Sequence, residues 1–324
     1  MIIGRKGSAG EINRADGPFW PLDVTYFTTH DDRRLDFDFL EYALRQMDLP
    51  SLANGVKPGI NRNEVYALPL PLPPLEEQKR IVAVLDQAFV ALDRACALAE
   101  ANLADVSTLR GQNLDDQIAK LFAEFGSIKV NEIAAVKGGK RLPKGQKTAS
   151  EVTPYRYISV RDMTHDGTVD TASVQYISKA NHDAIKRYTS SSSDVYVSIA
   201  GTIGKTGVVP AELDGANLTE NAAKLVLRKG WDRDFVYWWT KSGSFSDQAI
   251  EQTRTAAQPK LALERLGSIE LPNADLTSQM GLVACMERLR GSIQNLTEGY
   301  TGKLSELRDL RHSILQKAFA GELT

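Results

Sequence analysis

Cysteine is almost absent from this 324-residue chain: Cys96 and Cys285 are the only two, and neither sits in a Cys-x-x-Cys pair. A disulfide framework is therefore excluded, and a reducing, cytoplasmic setting is the expectation. Histidine is nearly as scarce. His30, His165, His182 and His312 stand at no metal-ligand spacing to one another or to the cysteines, so no metal site is expected. Long apolar runs are missing too. The most apolar stretch, residues 67–75, is cut by Pro69, Pro71, Pro73 and Pro74 and falls well short of the roughly 18 residues a membrane span needs. The opening Met-Ile-Ile-Gly-Arg-Lys holds no sustained apolar segment of the kind a secretory signal uses. Neither sign of charge is in excess: 39 Lys and Arg against 41 Asp and Glu leave a net −2. That balance argues against nucleic-acid binding by the whole surface and leaves room for a local basic face. With 42% hydrophobic and 25% charged residues, the chain is an ordinary folded one, long enough for two domains.

Motifs that carry chemistry are also lacking. Gly204-Lys205-Thr206 has the end of a phosphate-binding P-loop, but the glycine required five positions earlier is Ile199, so the cradle is incomplete. There is no Gly-x-Ser-x-Gly elbow and no Asn/Asp-Pro-Pro-Tyr/Phe tetrad of an amino-methyltransferase. Glu77-Gln78-Lys79 contains half of a nuclease motif, yet it opens a predicted helix, where acidic residues complement the helix dipole.

What the chain does have is an internal repeat. Gly4-x-x-Gly7-x-x-Gly10 matches Gly201-x-x-Gly204-x-x-Gly207 at an offset of 197, and Asp36-Phe37-Asp38-Phe39 matches Asp232-Arg233-Asp234-Phe235 at 196. Pro58, Ile60, Leu70, Pro71, Gln78 and Ile81 then fall on Pro259, Leu261, Leu271, Pro272, Gln279 and Leu282 at 201. Order and near-constant offset identify two copies of one pattern. The second copy carries about 72 residues, from Ser127 onward, before it reaches the position matching Met1. The first copy is accordingly expected to be truncated at its front. Each glycine motif reads either as a turn offering backbone N–H groups to a phosphate or as a strand-to-strand turn needing positive φ.

Each copy reads as a mixed α+β module followed by a long helix. In the second, residues 155–160, 194–199 and 223–227 have the β-branched and aromatic pattern of short strands, and 234–252 that of a helix. Beyond Pro272 the apolar period becomes 3.5: Leu282, Met286, Leu289, Ile293, Leu296, Tyr300, Leu307, Leu310 and Ile314 form an a/d seam. The first copy has a looser seam in Ile81, Leu85, Ala88, Leu92, Ala95, Ala99, Leu103, Val106, Leu109 and Ile118. The two seams predict paired helices, the second spanning residues 282–317.

One segment stands out by charge. Lys137, Lys140, Arg141, Lys144 and Lys147 lie within eleven residues that contain no acid and are broken by glycine and proline, which predicts a basic loop. Tyr155, Arg156 and Arg161 follow it, and Arg254, Gln258 and Lys260 form a second polar loop. Arg5 and Lys6 in the first glycine turn, Lys205 and Thr206 in the second, and Asn221 complete the candidate set. Cations that track phosphates, mixed with Arg, Asn and Gln able to make paired base contacts, are what double-stranded DNA readout requires.

The stretch Leu70-Pro-Leu-Pro-Pro-Leu-Glu-Glu-Gln78-Lys-Arg-Ile81, its weaker echo Leu271-Pro272…Leu276-Thr-Ser-Gln279, and the closing Leu315-Gln-Lys-Ala-Phe-Ala-Gly-Glu-Leu323 carry a resemblance. The chain resembles the specificity subunit of type I restriction-modification enzymes over essentially its whole length. The resemblance implies a non-catalytic protein of two target-recognition modules, the first one partial (residues 1–74 and 126–275). Two long antiparallel coiled-coil helices (75–125 and 276–324) join them. It implies that the chain reads a bipartite DNA target, docks two methyltransferase subunits and joins restriction (motor) subunits. AdoMet, ATP and Mg2+ would belong to those partners, with no cofactor in this chain. Ile81, Leu85, Leu92, Leu103, Val106, Leu282, Met286, Leu289, Ile293, Leu296, Leu307 and Ile314 are the expected docking and coiled-coil positions. A short regulatory form competing for methyltransferase, or an independent ATP-binding or nuclease enzyme, is the alternative.

Overall fold

The computed structural model describes the chain except Asp16, residues 254–259, Thr324 and the side chain of Ser107. It divides into two compact units whose borders fall inside the long helices: Met1–Ala104 with Leu296–Thr324, and Asp105–Asn295. No helix among the described residues is long and apolar enough to cross a membrane.

In the first unit, β1 (Ile2–Gly4) is the middle strand of an antiparallel sheet between β2 (Ile12–Asn13) and β3 (Thr25–Phe27). Helix α1 (Phe37–Gln46) starts at Asp36, whose carboxylate accepts the Asp38 and Phe39 N–H groups and so satisfies two first-turn donors. Positions three and four apart share a helix face, and α1 uses this twice. Leu40 and Leu44 pack with Met1, Ile3 and Leu49, while Phe39 and Ala43 join another cluster. After α2 (Arg62–Tyr66) comes the first long helix, α3 (Leu75–Phe125). Its Ile81, Leu85, Phe89 and Leu92 meet Phe39 of α1 together with Leu315 and Ala318 of the last helix, α9 (Leu276–Ala320).

The second unit opens with β4 (Ser127–Lys129), which pairs with β12 (Glu270–Pro272) and ties the start of the module to its end. Between them lie α4 (Val130–Ile133), β5 (Ala134–Gly138), β6 (Arg156–Ile158), β7 (Gln175–Tyr176) and α5 (Lys179–Ile185). Then follow β8 (Val195–Ser198), β9 (Thr206–Val208), β10 (Asn217–Leu218), β11 (Ala222–Leu227), α6 (Arg233–Thr240), α7 (Gly243–Glu251) and α8 (Leu263–Ser268). An antiparallel sheet has the order β5-β11-β8-β9, and a smaller one the order β10-β6-β7 with β10 parallel to β6. Trp239, Phe235 and Phe245 are fully buried in its core, where Leu114 and Ile118 of α3 and Leu282 and Met286 of α9 join them. The fold is α+β. In the first unit the start of α3 packs with the end of α9, and in the second the end of α3 packs with the start of α9. The two helices therefore run antiparallel.

One expectation about elements is corrected. The helix expected over 234–252 is two helices, α6 and α7, because Ser242 turns its hydroxyl onto Trp239 O (2.7 Å) and Gly243 N–H goes to Asp115 Oδ1 of α3 (2.7 Å). The last helix begins at Leu276, where Asp275 Oδ1 accepts Ser278 N–H at 2.8 Å and caps it, and its heptad seam starts six residues further on, at Leu282.

The glycine repeat is also re-registered. The structure pairs Gly7 (φ +81°) with Gly201 (φ +78°) and Gly10 (φ +86°) with Gly204 (φ +87°), an offset of 201 − 7 = 194. Gly10 N donates to Gly4 O as Gly204 N donates to Ser198 O, and Ile60 N donates to Arg5 O as Leu261 N donates to Ile199 O. The sequence match slid by one step because a motif repeating every three residues matches itself when shifted by three. Both copies use these glycines in a hairpin loop, the strand-to-strand role, since a left-handed φ suits glycine.

One contact recurs in both copies and explains the Leu-Pro…Gln stretch. Gln78 and Gln279 are buried, at 0% and 1% exposure. Gln78 Oε1 accepts Asp36 N–H (2.8 Å), and its Nε2 donates to Arg34 O (2.9 Å) and Pro73 O (2.8 Å). Gln279 Oε1 accepts Asp232 N–H (2.8 Å), and its Nε2 donates to Gly230 O (3.2 Å) and Ala274 O (2.9 Å). Each glutamine thus fastens the beginning of a long helix to the residue that caps α1 or α6, and it satisfies three backbone groups at once.

Lys241, at the end of α6, is mostly buried. Its Nζ donates to Thr206 O (2.6 Å) and lies 5.5 Å from the centre of the Tyr237 ring. Burial, reinforced by Arg110, lowers its pKa to about 8, against a smaller opposing pull from Asp166. Because this folded value lies below the unfolded 10.5, the unfolded chain binds more protons between those limits and stability rises with pH across them. From pH 7 to pH 9 the second unit is expected to gain on the order of 1 kcal/mol in urea unfolding, a gain Lys241→Met should lack. An equal pH response in the variant would remove Lys241 as the cause. Above pH 10 Tyr196 and Tyr237, kept protonated by burial, act in the opposite direction.

Candidate nucleic-acid interface

The basic loop leaves the sheet at the end of β5, and its root is fixed by backbone. Gly139 N–H donates to Ala222 O (2.9 Å) and Lys140 N–H to Leu218 O (2.8 Å). A Cβ on Gly139 would lie 2.0 Å from Thr219 O and 2.3 Å from Leu218 O, so only glycine permits this approach. The far end is held by Ala149 N–H on Tyr176 O (2.7 Å), and Asn181 Nδ2 donates to Lys147 O (3.2 Å). Lys140, Arg141, Lys144 and Lys147 are all exposed along it.

The close approach at Gly139 brings Arg141 against Glu220, on the turn between β10 and β11. Arg141 Nε donates to Glu220 Oε1 at 2.5 Å. The other carboxylate oxygen accepts from the Thr219 hydroxyl (3.0 Å) and lies 3.5 Å from the Tyr157 hydroxyl, whose single proton goes to the nearer Lys140 O (3.1 Å). Burial pushes the Glu220 pKa up, but hydrogen bonds from Arg141, its own N–H and Thr219 outweigh that and leave it below the usual value. Glu220 is therefore a carboxylate at neutral pH. Arg141 is raised by its hydrogen bond to the same carboxylate. Burial raises the Tyr157 hydroxyl, so it remains a donor.

The other candidates divide. Tyr155 stacks on His182 (centroids 4.3 Å), which in turn bonds Asn217 Oδ1 (2.7 Å). Arg156 donates to Thr171 O (3.0 Å) and covers the Tyr176 ring. Arg161 is largely exposed beside the buried Asp162. Lys205 is partly buried, its Nζ donating to Met163 O (3.0 Å), and Thr206 is buried with its hydroxyl towards Thr240 O (3.4 Å). Asn221 contributes its backbone, its O accepting Ile199 and Ala200 N–H. Lys260 is exposed, whereas Arg254 and Gln258 lie outside the described residues. In the first unit, Arg5 donates to Asp23 O (3.2 Å) and sits over Tyr26, while Lys6 is exposed. Sequence reasoning, which placed Tyr157 beside Tyr155, Arg156 and Arg161 next to the basic loop, missed Glu220 and the close backbone approach at Gly139. The Gly-Gly at the end of a strand is the one local signal of a close backbone approach.

The seam residues are mostly internal. Ile81, Leu85, Leu92, Val106, Leu282 and Met286 are buried, and Leu103, Leu289, Ile293, Leu307 and Ile314 are partly so. Leu296 is 45% exposed and Leu109 50% exposed. The buried members hold the chain's own helices together and offer no outer docking surface. The exposed large apolar side chains on these helices, among the described residues, are Val84, Val90, Leu98, Leu109, Leu276, Met280, Leu296 and Leu310. No group of three His, Cys, Asp or Glu side chains among the described residues is placed to hold a metal ion.

Residues 1–97 match the family described as the type I restriction modification DNA specificity domain. Over 282 residues the chain is 26% identical to the type I restriction enzyme EcoBI specificity subunit of Escherichia coli, covering 79% of this chain and 58% of that protein. It is 24% identical over 314 residues to the putative type I restriction enzyme specificity subunit S.HindORF215P of Haemophilus influenzae, covering 92% and 77%. The chain thus spans little more than half of the EcoBI subunit's length. Two solved structures share the fold. One, from work on complex assembly and conformational transition of the type I R-M system, has a TM-score of 0.71 at 20% identity, over 90% of this chain and 73% of that one. The other, the HsdS subunit from Thermoanaerobacter tengcongensis, has 0.58 at 20% identity, over 90% and 72%.

Proposed function

We propose, on the chain's similarity to type I restriction-modification specificity subunits, that it is the DNA-recognition subunit of such a complex. In this reading it binds duplex DNA through its α+β modules and supplies no catalytic group. The observation that carries it is the repeat: one hairpin, one capped helix and one buried glutamine occur twice, each leading into a long helix. A duplicated module reads two DNA segments, and an antiparallel helix pair is suited to keep the two readings at a set separation. Methyltransferase subunits would dock on outer helix faces that carry side chains such as Leu98 and Met280, with restriction subunits joining the assembly. AdoMet, ATP and Mg2+ would be bound by those partners.

The exposed loop lysines are the phosphate contacts in this reading. Replacing Lys140, Lys144 and Lys147 by alanine, in the chain assembled with its methyltransferase subunits, should weaken duplex binding. It should also reduce the slope of log K against log salt by up to about 2.7, at roughly 0.9 per lost phosphate contact. An unchanged slope would mean that the loop does not meet DNA. Methylated sites mapped with the wild-type assembly should form one motif in two parts, and a single uninterrupted motif would overturn the two-segment reading.

A further inference from the structure

We propose that Glu220 is a positioning residue that turns Arg141 from a phosphate contact into a reader of guanine; this rests on the DNA-recognition reading above. A guanidinium has five N–H donors in a rigid plane. Glu220 takes the one on Nε, at 2.5 Å. That leaves the edge formed by the two terminal nitrogens, whose parallel N–H groups match two adjacent acceptors. Both a phosphate and the O6/N7 edge of guanine in the major groove offer such a pair.

Charge decides between them. A phosphate would be drawn to the arginine by its positive charge, but the carboxylate of Glu220 already sits against that charge and repels an incoming anion. The guanine edge is neutral and loses nothing by this. It gains from an arginine held in place, because an 79%-exposed side chain would otherwise give up rotamer freedom on binding. The support is itself braced. Thr219 donates to the second carboxylate oxygen, and Tyr157, packed 3.5 Å from that oxygen, donates to Lys140 O and holds the loop beside it. Gly139 lets the loop come close enough for the pair to form. The neighbouring Lys140, Lys144 and Lys147 have no such carboxylate bond among the described residues, and they keep their charge for the backbone.

The test is selection from a randomised duplex library by the full chain assembled with its methyltransferase subunits, with salt slopes measured on the selected duplex. The wild type should enrich a motif that holds a guanine at the position this loop reads. Arg141→Lys should lose that guanine while keeping the rest of the motif, with affinity for the wild-type motif falling roughly 5- to 150-fold. Glu220→Ala should relax the same position. Glu220→Gln, whose amide oxygen still accepts from Nε, should keep the guanine and steepen the salt slope, since the arginine is no longer neutralised. The retained motif positions report that each variant is folded and assembled. If the wild type enriches a motif and neither Arg141→Lys nor Glu220→Ala changes any position of it, the inference is wrong. It is also wrong if Arg141→Lys leaves the motif intact while Arg141→Ala lowers the slope by about 0.9, the mark of a phosphate contact. If the wild type enriches no motif, the recognition reading itself falls, and this inference with it.

Discussion

Gln279→Glu is expected to destabilise the second module by about 3–5 kcal/mol at neutral pH, enough to leave a marginally stable domain largely unfolded. The side chain is isosteric, so packing is unchanged. The difference lies in the atom that faces Gly230 O and Ala274 O, at 3.2 and 2.9 Å. In glutamine it is an NH2 that donates to both. In glutamate it is an oxygen that repels both, in a site 1% exposed. The variant carboxyl can survive there only by holding a proton, which raises its folded pKa above the unfolded value. Stability should therefore recover as pH falls below about 4.3 and be lost as pH rises. Urea unfolding followed by tryptophan fluorescence reports this module, because Trp231, Trp238 and Trp239 lie in it, against the single Trp20 of the first copy. Gln279→Ala should cost about 2–5 kcal/mol by leaving Asp232 N–H and Ala274 O without partners. A change below about 0.5 kcal/mol in both variants would contradict the view that this glutamine fastens helix to module.

Shortening both long helices together should change where the assembled enzyme methylates. Asp93 of α3 pairs with Arg311 of α9, and carrying that antiparallel register along the two helices matches residues 98–104 with residues 300–306. Removing both segments takes out one heptad from each strand of the pair and preserves the seam, since a heptad is close to two turns. At ~1.5 Å per residue the pair loses about 10 Å, which is three base-pair steps of ~3.4 Å. If the helices set the separation of two half-sites, as proposed, methylation of the original motif should be lost, and a motif with a gap shorter by about three base pairs should replace it. Sequencing that detects methylated bases, on DNA modified by the purified assembly, gives the answer. The same motif with the same gap would end the spacer reading while leaving the helices as a docking surface.

Much of this architecture is written locally. The helix seams follow from a period of 3.5, and the helix starts from Asp36, Asp232 and Asp275, because a cap acts within three residues of itself. The repeat needed only order and spacing to be found, and with it the equivalence of Gln78 and Gln279. The role of those glutamines was not legible. Each bonds a residue more than 40 positions earlier, and nothing in a run of Leu-Pro and Gln says which backbone it will meet.

The candidate site divides along the same line. Composition alone marked residues 137–147 as a basic loop, because glycine and proline break regular structure and a run of cations without an acid stays in solvent. Tertiary structure decided which of its cations is different. Arg141 meets Glu220 across 79 residues, through a backbone approach at Gly139 that admits no Cβ. It also decided that Lys205 and Thr206, which looked like a phosphate turn, face Met163 O and Thr240 O. The same holds for the glycine register, which a period-three motif leaves ambiguous until hairpin hydrogen bonds select one alignment. Periodicity and capping depend on neighbours in the chain and can be read from it, whereas the partner of a side chain in a loop depends on which strands the sheet places beside it.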